Sequence, residues 1–282
     1  MANVKQSGIA SVSEVCQCYE LKRDAFYKYN NRLQKREVVV SKVLTLVRSR
    51  RKVLPREGVR KLRVSLDEAF NTMHLKIGRD ALFDILRANT MLVQRKKAFT
   101  KTTNSYHHFH KYNNLIKSIK IRRPNQVWAS DITYIRTVDG FCYLALITDM
   151  YSRKIVGYDI SDSLELEGCL RALKKAHRHA RPKAGLIHHS DRGVQYCSHQ
   201  YVNELKKHKC KISMTEENHC YENAMAERVN GILKDEFYLD QCFHSLEHAK
   251  CATKNAIKMY NNKRLHLSLD YKTPNMVFEQ VA

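Results

Sequence analysis

Glycine and proline are scarce, 9 and 4 among 282 residues. Collagen-like, low-complexity and linker-dominated chains are thereby excluded. Hydrophobic residues make up 43% and charged residues 28%, a balance that excludes disorder. No uncharged apolar run approaches the roughly 18–20 residues that span a bilayer. Met1 to Ala10 lacks the apolar stretch of a secretory signal. Cysteine pairs at metal-binding spacing are missing too: the nine cysteines are scattered, and the close pair Cys16 and Cys18 has no second pair to match it. We expect a reduced, cytoplasmic protein without membrane partners, with most cysteines acting as small core residues. The length favours two domains over one.

Acidic residues are few as well, 28 against 50 Lys and Arg, for a net charge of +22. The shortage is uneven. Residues 1–124 hold 28 basic and 9 acidic side chains, whereas residues 125–282 hold 22 and 19. One half is a polyanion-binding arm by composition, and the other is a different kind of domain. A ribosomal-type basic protein is the plain alternative. An anionic membrane surface fits less well, because no basic amphipathic stretch carries a strong apolar face.

The arm reads as helical. Val12 to Asn30 predicts two short helices with a break near Glu20, and Val38 to Arg51 a third with Val40, Val43, Leu44 and Val47 on one side. Val59 to Phe70 and Ala81 to Asn89 follow, separated by Gly78. Short helices, a turn and a basic helix are what a helix-turn-helix requires, so residues 1–94 are expected to contact DNA, with Arg56, Arg60, Lys61 and Arg79 as candidates. Residues 95–124 lose apolar periodicity and read as a basic linker able to track a phosphate backbone.

Beyond Pro124 the period changes. Val127 to Arg136, Phe141 to Thr148 and Lys154 to Ile160 read as strands, the first two joined by Asp139-Gly140. Leu164 to His179 reads as a helix, Gly185 to His189 as a strand, His199 to His208 as a helix and Lys211 to Met214 as a strand. Ala224 to Tyr238 and Ser245 to Tyr260 close the order as helices. Residues 125–282 are thus α/β, a mixed sheet covered by helices.

Three carboxylates stand out against that pattern. Asp131 sits inside the first strand, where an unpaired charge is costly. Asp191 lies just past the fourth strand, and reaches the same point if those strands are neighbours. Glu227 falls at the edge of the apolar stripe Met225, Val229, Ile232 and Leu233, and Lys234 lies two turns further along. Converging carboxylates repel unless cations neutralise them. Oxygen-only ligation selects Mg²⁺ or Mn²⁺. Two such ions about 3.5–4 Å apart activate a water and stabilise a leaving oxygen in phosphodiester chemistry. His188, Cys197 and Cys220 lie near the acids, but lack the spacing of a zinc site. His189 is a candidate for positioning a water or a phosphate.

The stretches Trp128 to Tyr134, His189 to Tyr196 and Glu222 to Arg228 carry a resemblance. So do Tyr260 to His266 with Pro274, and Arg56 to Leu62. Together they resemble the insertion-sequence-three family of transposases, OrfB type, bacterial relatives of retroviral integrases. The 35 residues between Asp191 and Glu227 match the family's D,D(35)E spacing, and Lys234 its basic residue. Asn218 to Tyr221 replaces a glycine-serine pair often found there.

The resemblance implies a ribonuclease-H-like DDE core with Asp131, Asp191 and Glu227 as catalytic residues holding two Mg²⁺ or Mn²⁺ ions. It implies cleavage and strand transfer at element ends, with Lys234, Arg228 and His189 near the DNA. Its partners would be double-stranded DNA, further copies of the chain in a synaptic complex, and an upstream reading-frame product. A ribonuclease-H-like nuclease and a catalytically inactive DNA-binding regulator are the alternatives.

Overall fold

The computed structural model describes residues 11–94, 108–216 and 224–280. Among the described residues no helix is long and apolar enough to cross a membrane. They fall into two compact units: those up to Lys52 with Gly58–Leu92, and Val53–Glu57 with those from Val93 onward.

The first unit is helical. Ser11 caps α1 (Val12–Cys18) through a capping box with Glu14. Then α2 (Arg23–Val53) runs for 31 residues without interruption. The sequence reading split this stretch in two. No glycine or proline stands between Arg23 and Val53, so nothing breaks the backbone ladder until Pro55. Conversely, the single helix expected over Val59 to Phe70 is two, α3 (Val59–Ser65) and α4 (Asp67–Thr72), meeting at Leu66. After Gly78 comes α5 (Arg79–Ala88). Val43, Val47, Leu62, Phe70, Leu82 and Leu86 form the shared core.

The second unit is built on a sheet of β1 (Val127–Thr137), β2 (Gly140–Asp149), β3 (Ile155–Ser161), β4 (Ile187–Ser190), β5 (Lys211–Met214) and the short β6 (Cys242–Phe243). Its order is β3-β2-β1-β4-β5, with β6 on the far end of β1. The first three strands are antiparallel, and β4 and β5 join in parallel. This is the ribonuclease-H-like arrangement.

Helices cover both faces. On one side α6 (Leu166–Ala180), the one-turn α7 (Val194–Cys197) and α8 (His199–Lys207) pack on Trp128, Ala145 and Ile147. Gly157 lets α6 approach closely, since a Cβ there would lie 2.4 Å from the Ala172 carbonyl oxygen. On the other side α9 (Ala224–Glu236) and α10 (Leu246–Lys263) pack on Ile135, Leu144 and Leu146. A further helix, α11 (Pro274–Glu279), follows, which the sequence pattern does not announce.

Two tethers hold this unit's periphery. The Asn261 side chain brackets β3, accepting the Ile155 N–H at 3.0 Å and donating to the Ile155 carbonyl at 2.9 Å. The basic segment, expected as a linker, is docked where it is described. Phe109 and Tyr112 pack against the Trp128 cluster. The Leu115 N–H donates to Ser213 Oγ at 2.9 Å, and Lys117 pairs with Glu216 at 3.2 Å. Two aromatic rings and the free edge of β5 give those residues something to bind, which charge patterning does not reveal.

Of the eight described cysteines, all free, Cys16, Cys142, Cys169 and Cys197 are buried, while Cys18, Cys242 and Cys251 are exposed. The core role expected for most of them therefore applies to half.

Candidate active site

Strands β1 and β4 run in parallel with Ser130 opposite Ser190. The next residue on each is an acid, Asp131 and Asp191. Side chains alternate along a strand. Trp128, Ser130, His188 and Ser190 therefore share one face, and Ala129, Asp131 and His189 the other, with Asp191 just past the end of β4. The second face is the one covered by α9.

Asp131 is half-buried there. Its Oδ1 accepts the Ile132 N–H at 3.0 Å, and its Oδ2 accepts from Asn230 Nδ2 on α9 at 2.8 Å. Loss of water pushes its carboxyl up to about 7, and the charge of Asp191 adds to the rise. The two hydrogen bonds oppose it, and Glu227 contributes a smaller upward push.

Asp191 is held by the turn that follows. Its Oδ1 accepts the Gly193 N–H at 3.0 Å. A Cβ on residue 193 would also stand 3.0 Å from that oxygen, so the glycine of His189-Ser190-Asp191-Arg192-Gly193 makes room for the carboxylate.

Glu227 lies in the first turn of α9 and is exposed. Among the described residues no three of His, Cys, Asp or Glu stand close enough to hold a metal ion jointly. The full convergence expected of three carboxylates is thus not formed. Asp131 and Asp191 are brought together, and Glu227 acts on Asp131 only through its charge. The reason is local: Val229, Ile232 and Leu233 fix the buried side of α9, and Asn230 is the side chain that reaches Asp131. Glu222 and Cys220 lie outside the described residues.

Lys234, two turns beyond Glu227, is half-buried. Burial lowers its ammonium from the ordinary range, while Asp131 and then Asp240 hold it up and Arg136 depresses it further. It therefore lies within electrostatic reach of Asp131. Arg228 is exposed on the same helix.

His189 departs from expectation. Its ring is fully buried, and Nδ1 shares a hydrogen bond with Ser213 Oγ at 2.8 Å. It offers DNA no exposed atom. Arg56 departs as well. It belongs to the second unit, where it pairs with Asp235 at 3.0 Å and donates to the Gln94 carbonyl. In the first unit, Arg60 and Arg79 are exposed and Lys61 half-buried, with Arg79 paired to Asp80 at 2.8 Å.

On the opposite face of the same strands, beside Trp128, the polar side chains are neutral neighbours of one imidazole. Ser130 Oγ and Tyr201 OH lie 2.7 and 3.0 Å from His188 Nε2, and burial pushes that imidazole down to about 3. Asp149, buried on β2, is a structural acid. It accepts from the Asn125 N–H at 2.7 Å and from the Ser152 backbone and hydroxyl at 2.8 and 2.6 Å.

The donor set fits a hard divalent cation. Two carboxylates lie within electrostatic reach of each other, and one is pushed far above its ordinary range by burial and by its neighbour's charge.

Two integrase core domain models match the chain, at residues 121–220 and 208–274. The insertion element IS600 uncharacterized 31 kDa protein of Shigella sonnei is 33% identical over 268 residues, 92% of this chain and 96% of that one. Transposase InsF for insertion sequence IS3A of Escherichia coli strain K12 is 40% identical over 145 residues, 51% of this chain and 50% of that one. The chain belongs to the insertion-sequence-three family of transposases. It spans about half the length of InsF in that match, and nearly all of the IS600 protein. The catalytic core of HTLV-2 integrase, solved with magnesium, is similar at 20% identity and a TM-score of 0.45, over 55% of this chain and 97% of that one.

Sequence reasoning about this transposase-family core missed Asn230. The residue stands three positions after Glu227 and within its motif helix, a spacing that puts both on one side of α9.

Proposed function

We propose that the chain catalyses metal-dependent cleavage and strand transfer at the ends of an insertion sequence. The observation that carries this is Asp131 on β1 within electrostatic reach of Asp191, which follows the neighbouring parallel strand β4, with the Asp131 carboxyl pushed up to about 7. Family membership supplies the substrate class. Asp131 and Asp191 would hold Mg²⁺ or Mn²⁺, with Glu227 completing the set as α9 shifts. Two such ions, when bound, supply acidified water and a stabilised leaving oxygen.

The chain's own residues do the rest. Asp131 and Asp191 orient the reacting phosphodiester through what they bind. Lys234 supplies a point charge to a phosphate beside them, fixing position without reading sequence. Arg228 adds a second cation on the exposed side of α9. In the helical unit, Arg60, Lys61 and Arg79 meet the duplex backbone. The working form is an oligomer on paired DNA ends in the cytoplasm, at the nucleoid, alongside the upstream reading-frame product. No observation favours a simple nuclease or an inactive regulator.

The test uses purified chain, a labelled duplex bearing the element's terminal repeat, and Mn²⁺. Nicking at the repeat and joining to a second duplex are expected for the natural chain and absent for Asp131→Asn. Cleavage without joining would assign the nuclease reading instead.

A further inference from the structure

We propose that Asn230 is a positioning residue for Asp131: its amide locks the carboxylate in the orientation that a divalent cation needs, so that metal affinity at the Asp131–Asp191 pair depends on it. The proposal rests on the reading of that pair as a metal site.

Both oxygens of Asp131 are engaged within the protein. Oδ1 takes the Ile132 N–H at 3.0 Å, a bond to its own strand, and Oδ2 takes Asn230 Nδ2 at 2.8 Å, a bond to the covering helix. Each carboxylate oxygen has two lone pairs, so one remains on each. Fixing both ends of the group removes its freedom to rotate, and the remaining lone pairs then have one direction. Metal sites use partners of the ligands in this way to set ligand orientation.

Asn230 is placed for Asp131 at its own expense. It is buried, and among the described residues its Oδ1 accepts no hydrogen bond. A buried carbonyl oxygen left without a donor is unfavourable. An asparagine serving only to pack α9 would gain from replacement by an apolar side chain, because Val229, Ile232 and Leu233 beside it are apolar. Its retention makes sense if the amide donor is what the position supplies. The spacing adds a second consequence. Glu227 and Asn230 lie three residues apart on one helix, so any shift of α9 moves a ligand and the orienter of another ligand together.

The experiment titrates metal-stripped full-length chain with Mn²⁺ alone, free Mn²⁺ being followed by electron paramagnetic resonance. Natural chain, Asp191→Asn, Asn230→Leu and Asn230→Gln are compared, with folding checked by circular dichroism and thermal melting. Leucine keeps the volume and removes the donor. Glutamine keeps the amide but displaces it by one methylene. Asn230→Leu is expected to weaken Mn²⁺ binding about tenfold or more with its circular dichroism spectrum unchanged, and Asn230→Gln to fall between it and the natural chain. Cleavage by Asn230→Leu should recover in part as Mn²⁺ is raised.

Mn²⁺ affinity within about twofold of the natural chain in a folded Asn230 variant overturns the proposal. If Asn230→Leu does not fold, Asn230→Gln decides, and loss of fold in both makes the residue structural and overturns it too. Natural chain whose Mn²⁺ binding is absent or unaffected by Asp191→Asn refutes the metal site itself, a failure distinct from equal binding by natural chain and Asn230 variants.

Discussion

His188 and His189 are neighbours in sequence and are both buried, yet they stand on opposite faces of β4 in unlike company. The His188 face holds Ser130 and Tyr201, whose hydroxyls lie within hydrogen-bond distance of the imidazole. The His189 face holds Asp131, whose carboxyl is pushed up by burial and by the charge of Asp191. One pair of strands thus carries a satisfied polar brace on one side and excess negative charge on the other. The difference teaches where the molecule stores what it needs for chemistry. Polarity is inexpensive when partners are supplied, and charge left short of partners persists where something else is meant to bind.

The contrast is sharpest for the acids. Asp131→Asn or Asp191→Asn should lower cleavage by at least about 100-fold, roughly 2.7 kcal/mol of transition-state stabilisation, while DNA retention in a gel-shift assay stays near that of the natural chain. Weak DNA binding by either variant would remove the distinction between the faces. Next comes Lys234→Ala, which removes a cation within electrostatic reach of Asp131. Joining at saturating metal should drop several-fold and Lys234→Arg should restore part of it, since one phosphate contact among several is lost. Unchanged joining at low and moderate salt would return Lys234 to an ordinary surface lysine.

Asp131 also gives the acid face a pH signature. Burial and the charge of Asp191 push its folded carboxyl up to about 7, well above the ordinary carboxylate range of about 4, so the folded state binds the proton more tightly than the unfolded one. Stability contributed by the protonated form is therefore present at low pH and is lost as pH rises from about 4 to about 7. Melting of the metal-free natural chain should fall across that window relative to Asp131→Asn, and added Mn²⁺ should reverse the fall. Parallel melting curves for the two would show that the carboxyl is not displaced. The smallest effect belongs to the brace. Tyr201→Phe removes one buried hydroxyl and should cost about 1 kcal/mol in urea unfolding, with the cleavage rate unchanged within about twofold. A large loss of rate there would join the two faces into one site.

The acids were legible because their motifs sit at strand ends, and a charge inside an apolar strand is conspicuous. The succession of elements along the chain was legible because three meandering strands precede alternating helices and strands, whereas the short β6 beside β1 carries no such pattern. What could not be read was which member of α9 turns inward. Helical periodicity places Glu227 and Asn230 on one side, but only packing decides that the amide reaches Asp131 and the carboxylate stays exposed. His189 looked available for DNA because it adjoins Asp191, yet alternation along β4 and the hydroxyl of Ser213 on β5 bury it. Arg56 looked like part of a DNA-reading turn, and Asp235, far off in sequence, claims it. Residues 108–124 looked like a tether because charge dominates their composition, whereas Phe109 and Tyr112 decide where they lie.

The bracket that Asn261 places on Ile155 has a consequence for how many copies of this chain can share one small volume. β3 is the outermost strand of the sheet, and an outermost strand is a template for another chain to zip onto. The Asn261 side chain occupies both the donor and the acceptor of Ile155, at the first residue of that strand, as a neighbouring strand would. Wherever several copies are crowded together, open sheet edges can fuse into insoluble ladders. A single amide from the tail of α10 obstructs that route at the point where pairing would begin.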